Sequence, residues 1–462
     1  MTQLVWFRND LRLRDNPALT AAVKTRERVE ACFLITPQQW ADHDWSPRRT
    51  DLMLRSLECL GQDLAALGIP LHTRTLEWFE DSDDALISLC LERGLERIHA
   101  NEEYAVNERT RDKRLCHGLA RTGITLSIYR DQSLVPVTEL KTGKNTPYTV
   151  FTPYSRQWWH WVERHQPVPH PLPGRVAAGV PEPSVPSLPE WRSSDVKWLA
   201  PGEAGAARAL ERFLEQRVTD YRDDRDYPAR DATSILSPYL ALGILSPRQC
   251  LAATRDNPAI NSASGSAGTW LNEIAWRDFY IQLLYHFPRL SRHRAFKPET
   301  ERLEWNRDPQ ALAAWQEGRT GIPIVDAAMR QLNQTGWMHN RLRMVTAMFL
   351  SKNLFIDWRE GERYFMRQLV DGYLPSNNGG WQWSASTGTD AAPYFRVFNP
   401  VTQSERFDPE GAFIRRYVPE IAHLEGKALF NPNGGVREYP EPIVDLKESR
   451  KEAIARFQAL SE

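Results

Sequence analysis

Four stretches of the chain concentrate side chains able to hold a ligand with flat faces and polar edges. The densest runs over residues 377–396, NNGGWQWSASTGTDAAPYFR. It places Trp381 and Trp383 one residue apart, beside a Gly pair and a run of small and hydroxyl residues. Small residues let a backbone approach a planar group, and large rings stack on it. The run is too rich in Gly and Ser for an ordinary core helix and too aromatic for a solvated linker, so it is expected to be a loop. The residues alone leave two readings open, a ligand-contacting loop and a buried loop in an aromatic core.

The second stretch, 270–287, reads as a helix. At a 3.6-residue period Glu273, Trp276, Arg277 and Tyr280 fall on one stripe. A carboxylate, an indole, a guanidinium and a phenol suit a flat ligand with polar edges, or a solvent-exposed face with an incidental ion pair. The third, GWMHNRLRMVTAMF at 336–349, crowds Asn340, Arg341, Arg343 and Met344 into one turn. Asn and Arg can bond base edges or phosphates, whereas Met at helical spacing is usually core. His339 has no ligand partner at metal spacing, so no metal is expected. The fourth, DATSILSPYLAL at 231–242, gathers Thr233, Ser234 and Ser237 before Pro238. Hydroxyls and backbone N–H groups at a helix start can cradle a phosphate, though Ser and Thr cap most helices.

The remaining chemistry is narrowed by what is missing from the sequence. There is no GxSxG, no HExxH, no P-loop, and no GxGxxG after the first strand. The five Cys have no metal-ligand or CxxC spacing, and four are expected to be buried thiols. With 25% charged and 41% apolar residues and a net charge of −1, the composition is that of a soluble globular protein, not a general nucleic-acid coat. No apolar run approaches the ~18 residues of a membrane span, and the amino-terminal residues do not read as a signal peptide, so a cytoplasmic protein is expected. Seventeen Trp are the anomaly, most of them from Trp158 onward.

The elements that must position these residues fall into two patterns. Apolar runs at 4–7, 30–35, 71–74, 97–100 and 125–129 alternate with helical patterns at 52–67 and 82–93, which predicts a parallel sheet with covering helices. A stretch with eight Pro, from Pro167 to Pro189, predicts a long extended connector that does not pack. Beyond it come helices at 204–217, 247–254, 270–287, 309–317, 323–335, 340–352 and 358–369, several opening with Pro or a capping residue. The expected domains are an α/β domain at 1–130, a connector at 131–200 and a larger all-α domain at 201–462.

Taken together, LVWFRNDLRLRDN, GIPIVDAAMRQL, TGWMHNRLRM and NNGGWQWSASTGTDAAPYFRVFNP resemble, in order and over nearly the whole chain, the DNA photolyase/cryptochrome family. The likeness is strongest to bacterial class I cyclobutane pyrimidine dimer photolyases. It implies a Rossmann-like amino-terminal domain and a helical domain binding FAD. Carried over by position, Tyr221, Thr233, Ser234, Ile235, Leu236 and Ser237 would grip the FAD phosphates. Trp270, Arg277, Arg343, Asp371, Gly372 and Tyr373 would line the rest, and Asn377 would face the reactive ring nitrogen. The implied substrate is a pyrimidine dimer flipped out of DNA. Trp276 and Trp383 would stack on it, Glu273 would bond a thymine edge, and Asn340 and Met344 would touch the bases. Arg225 and Arg341 would hold flanking phosphates. Trp381, Trp358 and Trp305 match the family's electron relay.

The resemblance further implies an antenna, 5,10-methenyltetrahydrofolate, at Asn107 and Glu108. The chain departs from the best-known members at Ser291–Arg292, where they carry Cys–Lys, and at Tyr373, where relatives often carry Asp. The expected activity is that of a deoxyribodipyrimidine photo-lyase, a carbon–carbon lyase acting as a monomer on damaged DNA, with no membrane partner. The alternatives are a cryptochrome-type blue-light receptor or a (6-4) photolyase. The chain's end at Glu462, soon after the last shared motif, and the full set Glu273, Trp276, Asn340 and Met344 favour repair.

Overall fold

The computed structural model describes residues 2–256, 265–433 and 435–460. Backbone contacts divide the chain into two compact units, each interrupted once in sequence. The first comprises Met1–Thr219 and Ser234–Pro288, the second Asp220–Thr233 and Arg289–Glu462.

The first unit is built on a five-stranded parallel sheet of β1 (Gln3–Phe7), β2 (Val29–Ile35), β3 (Leu71–Thr75), β4 (Arg97–Asn101) and β5 (Thr125–Tyr129), in the order β3-β2-β1-β4-β5. Every residue of β1 and β2 is buried, as strands covered on both faces require. Val5 lies level with Ala31 on one side and His99 on the other. The helix Pro47–Leu67 starts where Ser46 accepts from the Arg49 N–H and Pro47 presets the first turn. It ends at Gly68, whose φ of +81° is left-handed, and a Cβ there would sit 2.6 Å from the Ala177 and Ala178 carbonyls.

That contact corrects the expectation of an unpacked Pro-rich connector. Val176 and Val180 donate backbone N–H bonds to Leu67 and Ala65, and Pro183 fills the space a side chain would take at Gly61. The segment has no regular structure of its own, yet it is laid along the helix. Helices expected of the carboxy-terminal domain, Gly202–Gln216, Pro247–Arg255 and Ser266–His286, lie in the first unit. Asp278 binds the last of them in: its buried carboxylate accepts from the Leu134 and Val135 N–H groups and from the Trp158 indole.

The second unit is helical. Its core gathers Trp315, Met329, Leu342, Phe349, Trp358, Phe365, Trp381 and Phe413, all at most 2% exposed. The helix Pro323–Thr335 is fixed at its start by Asp326, which accepts from Thr320, Gly321 and the Tyr439 hydroxyl, the last at 2.5 Å. Two expectations fail here. The helix begun at Asn340 runs regularly only to Met348. A wider turn, Phe349–Asn353, follows, with the Leu354 N–H reaching back five residues to the Phe349 carbonyl at 3.0 Å. The run 377–396 is also not all loop, since Leu374–Ser384 is a helix with Pro375 in its first turn. The Gly pair lowers its intrinsic helicity, but buried side-chain bonds hold it: Asn378 Nδ2 donates to Glu362 at 2.9 Å, and Gln382 Nε2 to Asn378 at 2.9 Å. Of the Cys, three are buried where four were expected, with Cys59 half-buried and Cys116 exposed. No helix among the described residues is long and apolar enough to cross a membrane.

Candidate active site

In the first unit the helix Ser266–His286 presents Glu273, Trp276, Arg277 and Tyr280 as one half-buried stripe, while Ile274, Ala275, Asp278 and Phe279 turn inward. The spacing therefore does what the periodicity predicted. Trp276 stacks on Phe151, with ring centroids 3.6 Å apart and planes within 8°. Phe151 was not legible as a site residue, because it opens a helix in the expected connector (Phe151–His165) far away in sequence. Tyr280 stacks more loosely on Trp276 at 5.6 Å. Arg277 holds backbone, bonding the Gln132 and Leu240 carbonyls. Leu240 lies in the short helix Ser237–Ala241, so Arg277 also anchors the segment that follows Ser234, Ile235 and Leu236. Ile235 has φ of +50°, an uncommon strain for a β-branched residue and one that marks functional turns. Trp270 is buried against Phe213, 4.9 Å between centroids.

In the second unit Asn340, exposed, and Arg341, Arg343 and Met344, half-buried, share a surface over buried Leu342 and Val345. His339 starts this helix; its Nδ1 accepts from the Arg341 N–H, and burial lowers the ring's pKa to about 4. It is thus a neutral cap. Arg343 donates to Asp371 at 2.8 Å and to the Met338 carbonyl at 2.8 Å; the Asp371 carboxylate is 2% exposed. Arg341 pairs with Asp226 at 2.7 Å and lies 4.3 Å over Phe407. Arg225 lies over the Tyr221 ring at 5.4 Å. Asn377, half-buried, donates to the Glu362 carbonyl at 3.0 Å.

The Trp residues of this unit differ in setting. Trp381 is buried against Phe365 and Trp315, and a Cβ at Gly361 would sit 2.0 Å from its ring. Only a glycine leaves that slot open. Trp358 is fully buried, with Arg359 4.7 Å over it. Trp305 is partly buried against Phe355 at 4.9 Å. Trp383 is half-buried at the edge of the core.

One observation bears on whether these residues fit a flavin. The Arg343–Asp371 pair offers a donor and an acceptor together, matching the alternating donor–acceptor edge of an isoalloxazine. The donor set fits.

In the α/β unit Asn107 is exposed near His43, Nδ2 to Nε2 3.2 Å. Glu108 lines a small cavity of about 50 Å³ with Trp6, Arg8, Trp40 and Arg111. Its Oε1 accepts from Gln39 at 3.2 Å, while its Oε2 is buried without a partner. Burial, reinforced by Glu103, raises this carboxyl to about 7.

A two-domain parallel-sheet and helical protein with these motifs has known relatives. Residues 3–174 match the DNA photolyase family model, and residues 270–459 match the FAD binding domain of DNA photolyase. The chain is 45% identical to the deoxyribodipyrimidine photo-lyase of Escherichia coli, over 99% of this chain and 98% of that one. Its fold is similar to a bacterial class III photolyase from Agrobacterium tumefaciens, with TM-score 0.90 and 36% identity, covering 100% and 98%. It is also similar to a cryptochrome from Synechocystis, with TM-score 0.86 and 27% identity, covering 98% of each chain. The chain belongs to the DNA photolyase family and carries that family's FAD-binding domain.

Proposed function

We propose that the protein is a light-dependent lyase that splits cyclobutane pyrimidine dimers in DNA. The similarity to a cryptochrome means that fold alone does not separate repair from signalling. The observation that carries the reading is the half-buried stripe Glu273–Trp276–Arg277–Tyr280, braced from behind by Phe151.

When bound and reduced, FAD supplies the photoexcited electron that opens the cyclobutane ring and to which the electron returns. The protein contributes binding, orientation and exclusion of water. Tyr221 and Thr233 to Ser237 would hold the flavin's phosphates, with Trp270 and Arg277 beside them. Arg343, Asp371, Gly372, Tyr373 and Asn377 would hold its ring system. Flipping the lesion costs a few kcal/mol, about the scale that stacking can return, since each base stacked on an indole contributes ~1–3 kcal/mol. Trp276 and Trp383 would provide the stacking, and Glu273 a hydrogen bond to a thymine edge. Asn340 and Met344 would meet the bases, and Arg225 and Arg341 the flanking phosphates. Trp381, Trp358 and Trp305 would return electrons to oxidised flavin.

The antenna reading rests on Asn107 and Glu108. An unpartnered carboxylate oxygen suits the N–H edge of a pterin, and the small cavity would place such a ring across its mouth. The proposed domains are 1–130, 131–200 and 201–462, and the protein is proposed to act as a cytoplasmic monomer. The test is repair of a dimer-containing oligonucleotide by reduced holoenzyme under blue light and in darkness. Trp276→Ala should weaken lesion binding by ~1–3 kcal/mol while leaving flavin absorbance intact. Equal repair in the dark, or none in light, refutes the reading.

A further inference from the structure

At the small cavity of the α/β unit three carboxylates share two guanidinium groups. Glu103, in the turn between β4 and the helix Val106–Leu119, accepts from Arg111 at 2.9 Å and from Asn9 at 2.7 Å. It also lies 3.5 Å from Arg8. Asp112 accepts from Arg8 at 2.8 Å and from Arg111 at 2.7 Å. These pairings occupy both cations, and Glu108 is the carboxylate left over. Its Oε1 accepts from the neutral Gln39 amide, and its Oε2 is buried in the cavity wall with no partner. One further ionisable ring stands close by, that of His43 beside Asn107.

The two guanidinium groups treat their neighbours unequally. Burial raises the Asp112 carboxyl, but Arg8 and Arg111 outweigh it and hold its pKa below the ordinary value. At Glu108 burial and the charge of Glu103 prevail over the pull of Arg111 and bring the carboxyl up to about 7. The orphan oxygen can be met by a proton or by donors from a ligand, and the two exclude each other. A pterin edge offers an N–H and an amino group side by side. An ionised carboxylate can accept both, whereas a carboxylic acid has one oxygen committed as a donor.

We propose that the antenna site is proton-linked: binding of the folate expels a proton from Glu108, and Glu103 sets the pH at which this happens. The proposal rests on the reading of Glu108 as an antenna ligand. The balance is simple. Protonated Glu108 and free folate become ionised Glu108 holding the folate, and one proton passes to water. Glu103 acts through Glu108 and is a positioning residue. Antenna loading then falls as the surroundings become more acid.

The test uses the FAD-loaded protein freed of antenna, titrated with 5,10-methenyltetrahydrofolate between pH 6 and pH 8. Calorimetry in buffers of different ionisation enthalpy counts the protons released. At pH 7 about half a proton should leave per folate bound, and affinity at pH 6 should be roughly tenfold below that at pH 8. Glu103→Gln removes the neighbouring charge and should flatten this profile to under about twofold and abolish the release at pH 7. Glu108→Gln should bind weakly at every pH, with no release. In the antenna-free protein an infrared band of protonated carboxyl should fade through pH 7 and be missing in Glu108→Gln, a readout that needs no variant of Glu103. An unchanged slope in Glu103→Gln would place the titration on the folate or on His43 and overturn the proposal. A flat profile in the unaltered protein would overturn it and leave the antenna reading standing. No folate binding at any pH would defeat the antenna reading, and the proposal with it.

Discussion

Two buried sites, one in each unit, handle charge in opposite ways. In the sheet-containing unit Arg12, Asp15, Asp131 and Arg248 are all buried, and each meets opposite charge. Arg12 pairs with Asp131, and Arg248 reaches Asp131 at 2.6 Å and Asp15 at 2.9 Å. Burial raises the Asp131 carboxyl, but Arg12 and Arg248 outweigh it and hold its pKa below the ordinary value. In the helical unit Lys352 is fully buried with no carboxylate partner among the described residues. Its Nζ donates to Ser386 Oγ at 2.8 Å and lies 3.8 Å over the Phe457 ring. Burial, with a small contribution from Lys297, lowers its pKa to about 7. A closed network fixes chain segments permanently. A lone amine over one aromatic ring leaves a charge that solution conditions can alter.

Removing one member of the closed network should have the largest effect. Asp131→Ala leaves the buried Arg12 without a carboxylate and Arg248 with Asp15 alone, and should cost ~3–5 kcal/mol in denaturant unfolding. A loss under ~1 kcal/mol would mean that water reaches the network, and the contrast would dissolve. Lys352 should give the next largest effect, and one that depends on pH. The folded lysine releases its proton at about 7 and the unfolded one near 10.5, so between these values the unfolded chain binds more protons. Stability should therefore rise with pH across that window, by up to ~1.4 kcal/mol per unit. Lys352→Met should remove this part of the slope; an unchanged slope would mean that the amine stays charged.

Gly361→Ala should cost ~1–3 kcal/mol, because the methyl group collides with Trp381. Its photoreduction should fall with it, since the indole must shift. The smallest effect is expected at Arg341→Ala: weaker DNA binding at all sequences, with the salt-dependence slope reduced by about 0.9. An unchanged slope would confine Arg341 to its pair with Asp226.

The regular elements were legible because they carry their own punctuation. The helices Ser82–Arg93, Pro309–Glu317 and Pro323–Thr335 begin and end where Ser, Pro and Gly placed them. The five strands were legible from their apolar runs, four of them extending one residue further at one end. The stripe on Ser266–His286 was readable from period alone. What escaped depends on contacts distant in sequence. Nothing in residues 377–384 announces a helix, because the bonds to Glu362 that support it belong to another element. Phe151 could not be singled out in the sequence, because the indole it stacks on belongs to another element.

The wide turn at Phe349–Asn353 has a consequence for how the buried amine could have arisen. Such a turn holds one residue more than a regular helical turn. Deleting a single residue there would restore a regular helix and rotate everything before or after it by about 100°. Lys352 and the segment leading to Trp358 would then face different neighbours. A one-codon change is thus enough to create or erase the amine's placement over the Phe457 ring.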